Sequence, residues 1–350
     1  MASSAGWAQL LQVSIPASIA SLVYGLFKSK TEAQAVALSF FTGPGKTSRI
    51  VALVVVLVNW KSLPLAWTVR VFNAMISHIL VRPFHTHSPD KLFHPVISQS
   101  HVSLLEVDYN LHKSNSTYFA DLDVSRSHLV SHLFARGCHA LAHNAVTKLV
   151  EDPRKPGQFA KGKFSVVLGA VHCSFKKEIA PYQGYEMWTS VLSWDRKWIY
   201  LLTHFVEKGA AKPKSWDAAA FGPTRKNTTT EDTNFEKKIF ATAVSKYVFK
   251  IGRLTVHPAI LIGASGLLPE RPDGWVSTEG SGMATPSEPV TGNGDAQAKI
   301  EVATTGWDWT RTEEERMRGM QFAQHFAAVD GAASLFNGGE DGALGRFGLG

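Results

Sequence analysis

The sequence predicts an α+β fold in which one antiparallel sheet wraps around one long central helix. Three observations predict it. Of 350 residues, 45% are hydrophobic and 19% charged, which supplies a sizeable core and excludes wholesale disorder. A segment of strand composition, HVSLLEVDYN (His101–Asn110), passes through a polar loop into a long helical pattern. Beyond Pro153 and Gly157 the period changes from helical to extended, and several strand-like segments follow.

The helical pattern begins at Tyr118. Apolar residues recur at Tyr118, Leu122, Leu129, Leu133, Leu141, Ala145 and Leu149, thickened by Val130, Phe134, Cys138, Ala142 and Val146. A stripe this wide means a helix with much of its surface buried. The strands read next are FSVVLGAVHCSF (Phe164–Phe175), YEMWTSVLSW (Tyr185–Trp194) and WIYLLTHFVEK (Trp198–Lys208), with APYQG and Asp195-Arg196-Lys197 as connections. These short connections indicate antiparallel hairpins. Residues 209–234 read as a long polar loop. Lys237–Ile262 supplies one or two more strands, or a strand with a short helix. The reading divides the chain into an apolar N-terminal helical segment (1–90), the sheet-and-helix domain (91–268), a disordered Pro/Gly/Ser-rich linker (269–309), a C-terminal helix (310–332) with Thr312 and Glu315 as a capping box, and a disordered tail (333–350).

Charge is unevenly spread. Residues 1–100 carry eight basic and two acidic side chains, and residues 271–350 carry six and twelve. An apolar, basic N-terminal stretch attracts anionic membrane surfaces, whereas dispersed Lys and Arg without a recognition motif give no reason to expect nucleic acid. IVALVVVLVNW (Ile50–Trp60), extended through SLPLAWTV, approaches the roughly 20 residues of a transmembrane helix, but Lys61 lies inside it. The alternatives are an interfacial helix with Trp60 and Trp67 at the headgroups, or a buried soluble helix pair. Residues 1–80 are thus expected to meet a membrane surface, at the endoplasmic reticulum or another endomembrane, with a cytoplasmic location as the alternative. Met1–Phe27 has no basic start, which argues against a cleaved signal peptide.

Several chemistries are excluded or disfavoured. Cys138 and Cys173 alone cannot form a disulfide framework or a cysteine zinc site. His139 and His143 are four apart, but the H-E-x-x-H pattern is missing, so no metal is expected. No P-loop, no dinucleotide fingerprint and no G-x-S-x-G elbow occur, and no cofactor is expected. The acceptor triplets Asn115-Ser116-Thr117 and Asn227-Thr228-Thr229 are present, the first inside the motif described next.

That motif is DYNLHKSNSTYF (Asp108–Phe119), at the junction of strand and helix. It resembles the D-x-x-G-H-V-N-N-x-x-Y pattern of acyl-CoA thioesterases of the 4-hydroxybenzoyl-CoA type. Asp108 matches the Asp, His112 the His, Asn115 the second Asn and Tyr118 the Tyr, while Leu111 stands for the Gly and Ser114 for the first Asn. With FADLDVSRSHL after it and LPLAWTVRVFNA before it, the chain is similar to the branch of thioesterase superfamily member 6, and most to fungal members. Some of these belong to secondary-metabolite clusters of the leucinostatin type. The resemblance implies the hotdog fold, a homodimer with the site between protomers, and hydrolysis of an acyl-CoA or of an acyl or polyketide chain on a carrier protein.

Thioester hydrolysis needs a carboxylate, a water and donors for the developing oxyanion. Asp108 is expected to end a strand at the loop mouth as base or nucleophile, with N–H groups at the start of the Tyr118 helix forming the oxyanion hole. His112 would polarise the carbonyl or steady Asp108. Asn115 would cap the helix and orient the water. Leu111, Ser116, Thr117 and Tyr118 would meet the substrate or hold the loop. Asp121 and Asp123 fit the positive helix end. Two other readings stand beside hydrolysis. The departures at Leu111 and Ser114 would suit a non-catalytic, membrane-associated acyl-binding protein, and the fold also serves dehydratases and isomerases.

Overall fold

The alternation read over Tyr185–Trp194 and its neighbours becomes a six-stranded antiparallel sheet in a computed structural model describing residues 30–81, 86–211, 213, 235–270 and 306–335. The chain forms two units, residues 1–63 and 64–350. The linker, apart from its ends, the tail from 336 and most of the loop over 209–234 lie outside the described residues.

In the first unit, helices α1 (Lys30–Thr42) and α2 (Lys46–Val58) meet at Gly43-Pro44-Gly45. Gly45 takes φ 78°, a left-handed turn that glycine adopts without steric cost. The apolar run ends early because the Asn59 side chain donates to the Val55 carbonyl (2.9 Å) and Pro64 follows. Thirteen residues of helix rise about 20 Å, against a hydrocarbon core of about 30 Å. No helix among the described residues is long and apolar enough to cross a membrane. Of the alternatives read for residues 50–69, a single span thus finds no continuous helix, since α2 ends at Val58.

In the second unit, α3 (Ala66–Ile76) runs into a π-helical turn, Ser77–Val81. The strands are β1 (Val96–His101), β2 (Phe164–Phe175), β3 (Gly184–Trp194), β4 (Ile199–Glu207), β5 (Ile239–Ile251) and β6 (Leu254–Val256). Their order is β1-β3-β4-β5-β2, with β6 pairing β5. Helix α4 (Thr117–Leu133) lies in the curl of this sheet. Its polar face bonds to three strands directly and reaches a fourth through Thr189. Ser98 of β1 donates to Ser125 (2.9 Å), which pairs with Thr189 of β3 (2.7 Å); Thr189 pairs with Thr203 of β4 (2.9 Å), and Arg126 donates to Ser245 of β5 (2.6 Å). Ser98 is half-buried and the other hydroxyls are buried, and each is partnered, which lets a polar helix face sit inside a core. Leu122 and Leu129 fill the rest of the contact. A sheet curled around one helix in this way is the hotdog fold.

Two expectations change. The strand read as His101–Asn110 ends at His101, and Leu104–Glu106 is a 3-10 turn locked by a capping box between Ser103 and Glu106. The long helix is three pieces, because the backbone leaves helical geometry at Phe134 (φ −110°, ψ 11°) and at His143 (φ −106°, ψ 33°). The break places Gly137 of α5 (Ala135–Ala142) against the Leu261 carbonyl, where a Cβ would clash. The last piece, α6 (Asn144–Thr147), stops because Asn144 accepts from the amides of Leu149 and Val150 and donates to the carbonyls of Val150 and Ala160. Helix α7 (Pro258–Ala264) follows β6.

Helix α8 (Trp309–Ala328) covers the outer face of the sheet. Ser245 and Lys246 are consecutive on β5 and point to opposite faces. The first meets α4, and the second, buried, pairs with Asp330 beside Phe326. Asp308, not Thr312, caps α8 by accepting from the Arg311 amide (2.9 Å). Arg316 donates to the Trp194 carbonyl (3.0 Å) and its own carbonyl accepts from Ser193 (2.7 Å). Between them Gly319 approaches so closely that a Cβ would overlap the Leu192 carbonyl. Gly319→Ala should therefore lift α8 and cost about 1–3 kcal/mol, seen as a lower urea midpoint. An unchanged midpoint would contradict this docking.

Candidate active site

The loop between the 3-10 turn and α4 stands on a buried ion network. Lys113, 1% exposed, donates to Glu106 Oε1 (3.2 Å) and Asp121 Oδ2 (3.0 Å). Asp121 also accepts from Arg70 of α3 on Oδ1 (2.8 Å) and from the Tyr185 hydroxyl. The second Glu106 oxygen accepts from the Ser103 amide (2.9 Å). Lys113 and Arg70 lie against the Glu106 and Asp121 carboxylates, the pairing that burial of charge demands. Burial and the adjacent Asp121 carboxylate push the Tyr185 phenol well above its usual value, which keeps it a hydrogen-bond donor. The network ties the turn before the loop, the loop itself, the start of α4, β3 and α3 into one support.

On that support the loop folds tightly. The Lys113 amide donates to the Ile179 carbonyl and the Ser114 amide to Glu106. The Asp108 amide donates to the His112 carbonyl (3.0 Å), and the Leu111 amide to the Asp108 carbonyl (3.0 Å). Asp108 Oδ1 accepts from the Asn110 amide (2.9 Å), an Asx turn that fixes the carboxylate. Its Oδ2 has no hydrogen-bond partner among the described residues, and the side chain is 22% exposed. Asp108 thus lies in a turn and not at a strand end.

His112 stands between two carboxylates. Its Nδ1 is 3.8 Å from Asp108 Oδ1 and its Nε2 3.7 Å from Glu178 Oε1. Both distances are longer than hydrogen bonds, and the hydrogen bond of Nδ1 is with the Lys113 carbonyl (3.3 Å). Leu111 is exposed and takes φ 63°. The position where the resembling pattern carries Gly is left-handed here too, with a leucine bearing the strain. Leu111→Gly should raise stability by roughly 1 kcal/mol in urea unfolding, because little packing is lost. A lower midpoint would contradict the strain.

The remaining expected residues separate. Asn115 is exposed and does not cap α4, whose N-cap is Ser116, without a side-chain cap bond. Thr117 instead donates its hydroxyl to the Ser114 carbonyl (2.7 Å), while Ser114 and Ser116 pair at 3.1 Å. The helix therefore begins without its own N-cap side chain over its first amides. Tyr118 is buried between Phe175 and Phe205, its ring 5.2 Å from the Lys113 ammonium, so it backs the loop from the core. Around the loop, Leu104, Leu105, Tyr109 and Leu111 are exposed. Arg70, Glu106, Lys113, Glu178 and Tyr185 were absent from the expected site, and Asp121 was read only as a helix-dipole residue. Among the described residues, no group of three or more His, Cys, Asp or Glu is arranged to hold a metal.

A curled sheet around one helix, with a carboxylate turn at the helix start, defines a class of thioester hydrolases. The chain belongs to the thioesterase-like superfamily, whose profile matches residues 102–224. It is 34% identical over 310 residues to thioesterase poxG of Penicillium oxalicum, covering 85% of this chain and 90% of that protein. Thioesterase lcsJ of Purpureocillium lilacinum is 30% identical over 304 residues, covering 80% and 90%. The probable thioesterase atnL of Emericella nidulans is 29% identical over 300 residues, covering 83% and 89%.

Proposed function

We propose that the chain hydrolyses an acyl thioester, presented as acyl-CoA or as an acyl or polyketide chain on a carrier protein, within fungal secondary metabolism. One observation carries the assignment of Asp108. Its carboxylate is held by the Asx turn through one oxygen, with the other unspent, beside a helix start that no N-cap side chain covers. That oxygen takes the proton of a water that attacks the thioester carbonyl, or attacks it to form an anhydride that water then opens; the helix-start amides receive the oxyanion, and as it collapses the C–S bond breaks and the sulfur leaves as the thiol with the proton taken from water. His112, between Asp108 and Glu178, steadies the carboxylate. Asn115 orients the water, and Ser116 and Thr117 shape the turn beside the acyl group. The exposed Leu104, Leu105, Tyr109 and Leu111 supply apolar surface for an acyl chain or a second protomer.

A homodimer goes with this reading. It is supported by β2, a twelve-residue edge strand whose outer edge pairs with no described strand. Light scattering of the purified chain should give twice the monomer mass. A bilayer surface is the third partner, read from residues 1–80.

The test is a panel of acyl-CoA and acyl-carrier thioesters with product analysis. Release of free acid and thiol supports hydrolysis. Tight binding without turnover would make the protein an acyl binder, and a dehydrated or isomerised thioester would move it to the other hotdog chemistries.

A further inference from the structure

Four histidines meet where the end of α3 rests on α4. His78 sits in the π-helical turn Ser77–Val81 that continues α3, a rare backbone geometry. Its Nε2 lies 3.1 Å from Nδ1 of His128 on α4, a hydrogen bond between two ring nitrogens. The His132 ring, one turn further along α4, is 5.0 Å from the His78 ring, and the His87 ring is 4.7 Å from that of His132. His78 and His87 are buried, and His128 and His132 are half-buried.

Two imidazoles keep such a bond only while one nitrogen gives a proton and the other offers a lone pair. With both rings charged, every ring nitrogen carries a proton. The bond is then lost, and like charges stand 5.3 Å apart in a largely buried site. The acids on the surrounding elements are paired with other cations. None occurs from residue 33 to residue 89, a stretch that includes α3, the turn and His87. On α4, Asp121 pairs with Arg70 and Lys113, and Asp123 with Arg126. Asp90, just after His87, pairs with Lys91. Strand β1 carries no acid and ends on His101. Helix α7, followed by Gly266 close to Thr86, carries none either, and its N-cap His257 accepts from the Ala259 amide.

We propose that His78, His87, His128 and His132 form an acid-sensitive latch, which holds the end of α3 and its π-helical turn on α4 while the rings are neutral and releases them when the rings take up protons. In the open latch the rings meet water, where imidazole binds a proton near its ordinary value of about 6.5. The closed latch binds fewer protons, so closure is favoured above that pH and opening below it. For each proton taken up, the opening equilibrium gains up to about tenfold per pH unit. Arg70 lies two turns before His78 on the same face as buried Ala74, and it bonds Asp121 under the Asp108 loop, so latch and loop support share one helix.

The test is hydrogen–deuterium exchange of the full chain at about pH 7.5 and about pH 5.5, corrected for the intrinsic pH dependence of exchange. Amides of Ser77–Val81 should be protected at the higher pH and lose protection by about tenfold or more at the lower. His78→Gln/His128→Asn places amide groups at the two bonded positions, so the bond forms without a titrating nitrogen. Its Ser77–Val81 amides should be equally protected at both pH values. Burial pushes His94 and His204 below the usual imidazole value, so acid also acts elsewhere in the fold. His204→Asn is the control and should leave Ser77–Val81 as acid-sensitive as in wild type. Should the double variant misfold, His132→Phe, which keeps a ring without a charge, should shrink the loss of protection. Equal protection of the wild-type turn at the two pH values would overturn the proposal. So would a double variant, or in its place His132→Phe, that loses protection as fully as wild type.

Discussion

Asp108→Asn should reduce thioester hydrolysis by about a hundredfold to ten-thousandfold, the range for removing a general base or nucleophile. Asparagine is isosteric and keeps the side-chain oxygen that accepts from the Asn110 amide, so the Asx turn survives. What disappears is the charge and basicity of the unspent oxygen. The measurement is thiol release from medium- and long-chain acyl-CoA with DTNB, paired with a thermal melt that should match wild type. A variant with full activity would remove Asp108 from the reaction. A variant that is inactive but also unfolded would leave the role to be read from Asp108→Ser, which retains a turn-forming oxygen.

The largest stability effect should come from Lys113→Met. The buried ammonium joins Glu106 to Asp121 at 3.2 and 3.0 Å. Without it, both buried carboxylates lose the cation that they share. Breaking a buried network by removing one partner costs about 3–5 kcal/mol, because the charges left behind cannot be solvated. For a chain of this size that lowers the melting temperature by roughly 10 °C. Adding Asp121→Asn to Lys113→Met should recover part of the loss, since the two changes act on one network. A melting temperature unmoved by Lys113→Met would mean that the network does not hold the loop. Hydrolysis should fall with stability, because the loop stands on this support.

The sheet and the site differed in how far they could be read from the chain. Tyr185–Trp194 and Phe164–Phe175 showed as strands because alternation depends on the next residue but one, and a neighbour-level signal survives without tertiary context. The Asp108–Tyr118 segment shows in the sequence through its resemblance to a family motif, whereas the Asx turn, in which Asp108 binds the amide two residues on, shows only in the structure. The break at Phe134 was not legible. Its apolar stripe runs on in register, and the break comes with a close approach of Gly137 to Leu261, more than a hundred residues away. Asn115 was misassigned for a related reason. It has the right side chain for a cap, but the 3-10 turn and the Ser114–Glu106 bond set the helix start one residue later.

What the sequence determined by itself was the α+β class, the succession of strands and a central helix along the chain and, through its resemblance to a family motif, an acid shortly before that helix. Each of these is written in residues a few positions apart. Only the tertiary structure decided that Lys113, a plain loop lysine in the sequence, is buried between two acids, and that Arg70 leaves an otherwise apolar helix face to meet Asp121. A charge can be buried only where an opposite charge is delivered to it. Here the partners are 51 and 64 residues apart, Arg70 and Tyr185 on either side of Asp121, and it is the fold that brings them together.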